Sequence, residues 1–239
     1  MFEFDPHMHS IASGHASHST ITDLSKQAAA RGFNMIGVTD HGPATILSAR
    51  EAYFRNLAYS LRRRCGIEIL YGVELNILDY QGTVDLPDEI LEKLDYAIIS
   101  MHKPNIAPGT VEENTFAYIN AMKHPNVKIV GHCDDTKYPV DYEALVIAAK
   151  HYGVLLEINN SSLRPDGYRG DTRENIRMIL ELCKKYQHPV VLSSDSHGHE
   201  HVGDFTYAVE MIEETDFPFQ LVMNHSSKAF KNFIQKGRS

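Results

Sequence analysis

Short apolar runs alternate with amphipathic helical runs along the whole of this 239-residue chain. This alternation is typical of βα units, in which parallel strands form a sheet and helices cover it. Most of the apolar runs are continuous, as strands buried on both faces require. They predict strands at Phe2–Asp5, Met35–Thr39, Glu68–Leu75, Tyr96–Ser100, Val127–Val130, Leu155–Ile158 and Val190–Ser193.

Segments with apolar residues at i, i+3 and i+4 spacing fill the gaps and predict helices. Thr22 can cap a helix through Ala30 that stops at Gly32, and Pro87 suits the first turn of one that ends near Leu94. Further helices are predicted at Ser48–Arg64, Val111–Lys123, Tyr142–Tyr152, Thr172–Tyr186, Tyr207–Glu214 and Ser227–Gln235, with a short run at Gln220–Met223. Because no linker interrupts this pattern, residues 1–239 are expected to form one domain.

The net charge, the length of the apolar runs, the N-terminus and the cysteines narrow the class of protein. A formal net charge of −8 disfavours binding to long nucleic acids, which requires many Lys and Arg side chains on phosphates, and favours small substrates. No run is long and apolar enough to span a bilayer, and the N-terminus does not resemble a secretory signal. The three cysteines show no CxxC spacing. We therefore expect a cytoplasmic protein without membrane association.

Histidine is unusually frequent, with 14 residues in the chain, and many of these residues follow predicted strands. His7 and His9 follow the first strand, where residues i and i+2 point to the same side and can bind one metal ion. The other candidate ligands at strand ends are Asp40, His41, Glu74, His102, His132, Asp195 and His197. Barrels of parallel strands place their active sites at these C-terminal ends. The positions therefore predict a metal site there.

The motifs resemble those of the PHP (polymerase and histidinol phosphatase) family, and most closely its YcdX-type branch of small stand-alone phosphatases. The resemblance covers nearly the whole chain and rests on His7-Met8-His9, Thr39-Asp40-His41, the isolated His132 and Ser194-Asp195-Ser196-His197, with Glu74 and His102 in the expected intervals. It implies a distorted (β/α)7 TIM-like barrel, of class α/β, with three divalent metal ions at the C-terminal ends of the strands. The independent count of predicted strands agrees with this fold.

The resemblance also implies a ligand set. One ion would be held by His7, His9, Glu74 and Asp195, a second by Glu74, His102 and His132, and a third by His15, His41 and His197. His18 is a rival to His15, because both lie in the same loop. Zn²⁺ is the favoured ion, since it accepts imidazole readily, and Mn²⁺ or Fe²⁺ are alternatives.

The implied reaction is hydrolysis of a phosphate monoester by a metal-activated water, which makes the chain a phosphatase. Glu74 and Asp195 are the expected catalytic carboxylates. Asp40 could orient an imidazole or accept a proton, although a capping role fits equally well. Arg164 and Arg169 could clamp the phosphate of a small substrate, although they could equally lie in a solvated loop. The sequence leaves self-association into a homo-oligomer open.

Three alternative functions remain. A nuclease or phosphodiesterase acting on nucleic-acid ends uses related chemistry, although the acidic chain weighs against it. An amidohydrolase-type barrel also opens with HxH, but it usually needs a bridging lysine, and Lys103 should point away from His102. A noncatalytic metal-stabilised domain should have lost ligands, whereas all the implied positions are filled here.

Overall fold

A computed structural model describes residues 1–236 as an α/β barrel. Within these residues the parallel strands are β1 (Phe4–Asp5), β2 (Met35–Val38), β4 (Ile67–Asn76), β5 (Tyr96–Ser100), β6 (Val127–Val130), β7 (Leu155–Asn159) and β8 (Val190–Ser193), and they are neighbours in that order. The short strand β3 (Arg63–Arg64) pairs antiparallel with β4. The predicted distorted barrel of seven parallel strands is confirmed.

Helices connect the strands and cover the outside of the barrel. They are α1 (Ile21–Ala30), α2 (Glu51–Leu57), α3 (Asp88–Leu91), α4 (Val111–Ala121), α5 (Tyr142–Tyr152), α6 (Arg173–Tyr186), α7 (Thr206–Glu214) and α8 (Ser227–Gln235). Thr20, and not Thr22, caps α1, because the Thr20 side chain accepts from the backbone of Asp23 and the Asp23 carboxylate accepts from the backbone of Thr20. In residues 1–236, no helix combines the length and apolarity needed to cross a lipid bilayer.

The predicted helix Ser48–Arg64 is wrong in its extent, since the helix there covers only Glu51–Leu57. The run after Leu57 contains Arg62, Arg63 and Arg64, and the helix propensity of arginine led to the prediction of a longer helix. Arg63–Arg64 instead pairs with the start of β4, and Cys65 and Gly66 make the turn with φ angles of 50° and 85°. The hairpin is more stable here than a longer helix because its residues gain backbone hydrogen bonds to a long strand of the sheet.

The barrel closes unevenly between its first and last strands. At the C-terminal mouth, Met8 pairs with Ser196 as an isolated parallel bridge. Deeper in the barrel the side chain of Asn224 replaces direct pairing, because its Nδ2 donates to the carbonyl oxygens of Phe4 and Leu192 at 3.1 and 2.9 Å. Its Oδ1 accepts from the Leu192 N–H at 2.8 Å. One asparagine thus spans the gap that distorts the barrel.

The lower half of the barrel interior is apolar and closed, and α8 plugs it with Phe230 and Ile234. Tyr96 belongs to this apolar layer, and its hydroxyl donates to the carbonyl oxygen of Pro6. The ring passes so close to Gly37 that any side chain there would collide with the Tyr96 hydroxyl. The interior filling therefore ends below the mouth, and the polar strand ends stand on a rigid base.

Candidate metal centre

The nine predicted metal ligands come together at the C-terminal mouth of the barrel. Alternation along β4 turns Glu74 into the barrel interior, where it is 0% exposed. Two of the ligands have backbone conformations that side-chain-bearing residues rarely adopt, with φ of 26° at His132 and 50° at Asp195. Such conformations cost about 1–3 kcal/mol each and cluster at functional sites.

The first group of ligands consists of His7, His9, Glu74 and Asp195. Nε2 of His9 lies 3.1 Å from both Nε2 of His7 and Oδ1 of Asp195. Oε2 of Glu74 lies 3.6 Å from the Nε2 atoms of His7 and His9. Four donor atoms at these separations can surround one ion, because bonds of about 2.0–2.1 Å to tetrahedral zinc put ligand atoms a little over 3 Å apart.

The second group lies on the other oxygen of the same carboxylate. Oε1 of Glu74 is 2.8 Å from Nε2 of His132 and 3.4 Å from Nε2 of His102. The two oxygens of Glu74 therefore face different sets of imidazoles. This is the arrangement that a carboxylate bridging two ions requires.

The third group is a stack of imidazoles at the rim. The ring centroid of His15 lies 4.8 Å from that of His41 and 5.3 Å from that of His197. Ligand atoms of His41 and His197 also lie within 4.8 Å of one of His9, so His9 stands between the first and third groups. Nδ1 of His41 lies 2.6 Å from Oε2 of Glu74, which joins this group to the central carboxylate.

His18, the rival to His15, lies away from this stack. Its Nε2 contacts Oε2 of Glu200 at 3.2 Å, and its ring centroid is 6.2 Å from that of His199. All three side chains are exposed. The structure therefore brings His15, and not His18, to the other predicted ligands.

Several buried polar atoms at the mouth fit metal ions as missing partners. Among residues 1–236, no hydrogen-bond partner exists for Nε2 of His41, His102 and His197. Unsatisfied buried polar atoms are rare, because each one costs about 1–3 kcal/mol. Their convergence on a few points and their imidazole chemistry suit borderline divalent ions such as Zn²⁺.

The carboxylate of Glu157 on β7 orients two of the predicted ligands through hydrogen bonds on the side away from the metal centre. Oε1 lies 2.6 Å from Nδ1 of His7, and Oε2 accepts from the His132 N–H at 2.6 Å. A carboxylate is only an acceptor, so Nδ1 of His7 carries the proton and Nε2 is left free to bind metal. Sequence reasoning missed Glu157, although an acidic residue inside an otherwise apolar strand was the available signal.

Asp40 acts through serine rather than by direct contact with the ligand atoms. Its carboxylate accepts from Ser10, from the Ser13 hydroxyl at 2.7 Å and from the Tyr53 hydroxyl at 2.6 Å. Because Ser13 gives its proton to Asp40, Nδ1 of His9 must donate to the Ser13 oxygen at 2.9 Å. The arrangement leaves Nε2 of His9 free as a ligand.

Two further imidazoles are oriented in the same way. Nδ1 of His102 lies 2.7 Å from Oδ1 of Asn76, whose amide group donates to Asp85 at 2.6 Å. Nδ1 of His197 lies 3.2 Å from the carbonyl oxygen of Asp195. Acceptors behind Nδ1 again leave the Nε2 atoms facing inward, as is usual for metal-binding histidines.

Arg169 and Arg164 lie in different surroundings. Arg169 is 3% exposed, and its guanidinium donates to Oδ2 of Asp195 at 2.9 Å and to the Ser162 hydroxyl at 3.2 Å. Arg164 is partly exposed and makes two hydrogen bonds to the carboxylate of Asp166, at 3.0 and 3.1 Å. Only Arg169 therefore contacts a predicted metal ligand.

The charges at the mouth keep both central carboxylates ionised. Burial alone would raise the pKa of Glu74, but the imidazoles of His41 and His102 outweigh it and hold that pKa well below its usual range. Burial alone would also raise the pKa of Asp195, but His7, Arg169 and the other neighbouring imidazoles together hold it well below its usual range. Both groups are thus ready to bind cations at neutral pH.

The mouth opens into a cavity of about 550 Å³, which reaches His15, His102, His132, Asp195 and Arg169. A smaller cavity of about 210 Å³ adjoins it and is lined by Arg164, Asp195 and His197. Cavities of about 300–1,000 Å³ are typical of sites for small molecules. The ligand cluster is therefore accessible to a small substrate.

Known proteins with similar sequences are phosphatases by description. Residues 5–236 match the PHP domain. A protein of Acetivibrio thermocellus named "Probable phosphatase" is 40% identical over 235 residues, which cover 98% of this chain and 96% of that protein. A Clostridium novyi protein with the same description is 37% identical over 238 residues, with 99% and 96% covered.

A solved structure shares the fold at much lower identity. The histidinol phosphate phosphatase of Lactococcus lactis, solved with zinc, L-histidinol and phosphate, superposes with a TM-score of 0.64 at 18% identity, covering 90% of this chain and 94% of that one. The match to the PHP domain over nearly the whole chain confirms the resemblance seen in the motifs. The chain therefore belongs to the PHP domain family.

Proposed function

We propose that this protein is a metal-dependent phosphatase that hydrolyses small phosphate monoesters at a site for three divalent ions. The observation that carries the proposal is the position of Glu74, whose two oxygens face separate sets of imidazoles at 2.6–3.6 Å. A bridging carboxylate of this kind offsets the repulsion between neighbouring cations. Several cations at one mouth suit a tetrahedral phosphate dianion.

The ligand groups define where the ions would be held. His7, His9, Glu74 and Asp195 would hold the first ion, Glu74, His102 and His132 the second, and His15, His41 and His197 the third. When bound, the ions supply Lewis acidity to phosphate oxygens and to water. Zn²⁺ is the favoured species, because imidazole nitrogens dominate the set, and Mn²⁺ or Fe²⁺ are alternatives.

Arg169 is the side chain best placed to hold the phosphate. Its Nε atom has no hydrogen-bond partner within residues 1–236, and the residue lines the mouth cavity beside Asp195. A guanidinium offers donors in a planar fork that matches phosphate oxygens. Arg164 would first have to leave Asp166, so we assign it a lesser role.

The family context supports phosphate chemistry over the amidohydrolase alternative. Relatives that are 37–40% identical over nearly the whole chain are named probable phosphatases, and the Lactococcus lactis neighbour was solved with zinc and phosphate. Lys103, the lysine that could bridge ions in an amidohydrolase, is exposed at the cavity, whereas the buried Glu74 lies among the imidazoles.

The test is to assay one metal-analysed sample against phosphate monoesters, phosphate diesters, single-stranded DNA and amides. We expect monoesters to be cleaved fastest, and activity to be lost with a strong chelator and restored by added Zn²⁺ or Mn²⁺. Faster cleavage of DNA would support the nuclease alternative, and faster cleavage of amides would support the amidohydrolase alternative. Either result would contradict the proposal.

A further inference from the structure

The mouth cavity has two chemically different sides. Its floor is formed by predicted metal ligands, whereas its outer lining includes the apolar Ile46, Leu47, Pro104 and Tyr168 and also the charged Lys103 and Lys137. A phosphate held at the floor would direct the alcohol portion of its ester between these walls. The following inference rests on the proposed phosphatase function and concerns the identity of that alcohol.

Ile46 and Leu47 are large apolar side chains that lie open to solvent at the lip of the cavity. Their exposed fractions are 69% and 80%. Single exposed apolar residues are common, but two adjacent ones that line a cavity beside a cluster of catalytic type indicate an apolar ligand. Neither side chain contributes to the hydrophobic core of the described residues.

The loop that carries these two side chains is anchored on both sides. Before them, the Ala44 N–H donates to Asp85 at 3.0 Å and the Thr45 hydroxyl donates to Asn76 at 3.2 Å. After them, the Ser48 hydroxyl donates to the carbonyl oxygen of His41, and the Ala49 N–H donates to a backbone carbonyl at 2.9 Å. The apolar pair is therefore presented by a fixed loop, which lowers the entropic cost of binding a ligand.

Leu47 also has a backbone conformation that leucine rarely adopts, with φ of 68°. Its carbonyl group packs so closely on Gly14 that any side chain at that glycine would collide with it. Gly14 directly precedes the predicted ligand His15. The strained loop thus packs directly against the loop of a predicted metal ligand, and strain of this kind is characteristic of binding sites.

We propose that this wall binds the alcohol portion of the substrate, and that the enzyme prefers monoesters of apolar alcohols over those of sugars and other polyols. Apolar walls stabilise methylene and aromatic groups by removing them from water. Hydroxyl groups held against Ile46 and Leu47 would lose their hydrogen bonds with water and gain none from these two side chains. Preference should therefore increase with the apolar size of the alcohol.

A homologous series of n-alkyl phosphates from ethyl to octyl tests this inference. The leaving-group chemistry stays nearly constant along the series, so changes in kcat/KM report binding of the chain in the cavity. We expect kcat/KM to rise by up to about fourfold per methylene until the cavity is filled. Glycerol phosphate should be a poorer substrate than butyl phosphate.

Leu47→Asn is the matching variant, because asparagine tolerates a positive φ and has a similar size but is polar. Leu47→Asn should reduce the increase in kcat/KM per methylene, and the double variant Ile46→Asn with Leu47→Asn should reduce it further. Leu61→Asn is the control, since Leu61 is also exposed, at 66%, but is adjacent to β3 near the opposite end of the barrel. Circular dichroism and metal content should match the unmodified protein in all three variants.

A kcat/KM that stays flat along the alkyl series would overturn this inference while leaving the phosphatase proposal intact. An unchanged slope in the double variant would overturn the assignment to this wall. Failure of the metal-loaded protein to hydrolyse any monoester would instead overturn the proposed function, and this inference with it.

Discussion

Nδ1 of His7 lies 2.6 Å from Oε1 of Glu157, and both side chains are fully buried. The same carboxylate accepts from the His132 N–H through its other oxygen. Glu157 therefore fixes one predicted ligand in each of two predicted metal groups without belonging to either group. An acceptor behind a metal-binding histidine sets which nitrogen carries the proton, and its loss typically lowers metal affinity by about 10–100-fold.

We predict that Glu157→Gln lowers metal affinity at the first and second positions by about 10–100-fold. The amide nitrogen would face either the Nδ1 proton of His7 or the His132 N–H, so one of these hydrogen bonds is replaced by repulsion. Competition with a fluorescent chelator measures the change. Glu181→Gln, on the outside of α6, is the control, and equal affinities in the two variants would contradict this role.

Asp40→Asn should lower the free energy of unfolding clearly while it changes kcat only modestly. The Asp40 carboxylate accepts hydrogen bonds from Ser10, Ser13 and Tyr53, and an amide would turn its own donors towards some of these groups. We expect the free energy of unfolding to fall by about 2 kcal/mol or more. The kcat of the metal-saturated variant should stay within about tenfold, whereas loss of a general base typically costs about 10²–10⁴-fold.

Urea unfolding and steady-state kinetics on the same preparation of Asp40→Asn separate these outcomes. A stable variant with a loss of kcat above a hundredfold would assign Asp40 to proton transfer instead. The comparison therefore decides between the two roles that the sequence leaves open for this residue.

His188 should make the fold sensitive to acid independently of the metal centre. Burial lowers the pKa of His188 to about 4, and its Nε2 donates to the carbonyl oxygen of Val154 at 2.9 Å. The unfolded chain binds the proton more readily, so stability is lost as the pH falls below the unfolded pKa of about 6.5. Between pH 7 and pH 5 this group should remove about 2 kcal/mol.

The measurement is urea unfolding at both pH values for the metal-free unmodified protein and for metal-free His188→Gln. The unmodified protein should lose about 2 kcal/mol more than the variant between these pH values. The other titratable groups contribute equally to both proteins, so they cancel in the difference between the two losses of stability. Equal losses in the two proteins would contradict the assignment.

The strands and the convergence of the ligands could be predicted because both depend on local sequence. A buried parallel strand is a short apolar run, and the residue after it lies at the mouth whichever partner the strand has. His41 and His132 were therefore found from their position alone. The extended geometry of residues 7–9 likewise placed two imidazoles on one side.

Features that depend on distant partners could not be predicted. Asn224 spans the gap between β1 and β8, which are almost 190 residues apart in sequence. The pairing of Arg169 with Asp195 and that of Glu157 with His7 also join remote segments. The hairpin at Arg63–Arg64 was mistaken for helix because the propensity of arginine carried no information about the edge of β4.

The metal content of Glu74→Gln tests whether Glu74 bridges two ions. The variant keeps the size of the side chain but removes the charge shared by two groups of imidazoles, whereas His15→Ala changes only the third group. Elemental analysis of folded protein should find up to two ions fewer in Glu74→Gln and one fewer in His15→Ala. A folded Glu74→Gln protein that keeps its full metal complement would show that Glu74 does not bridge two ions.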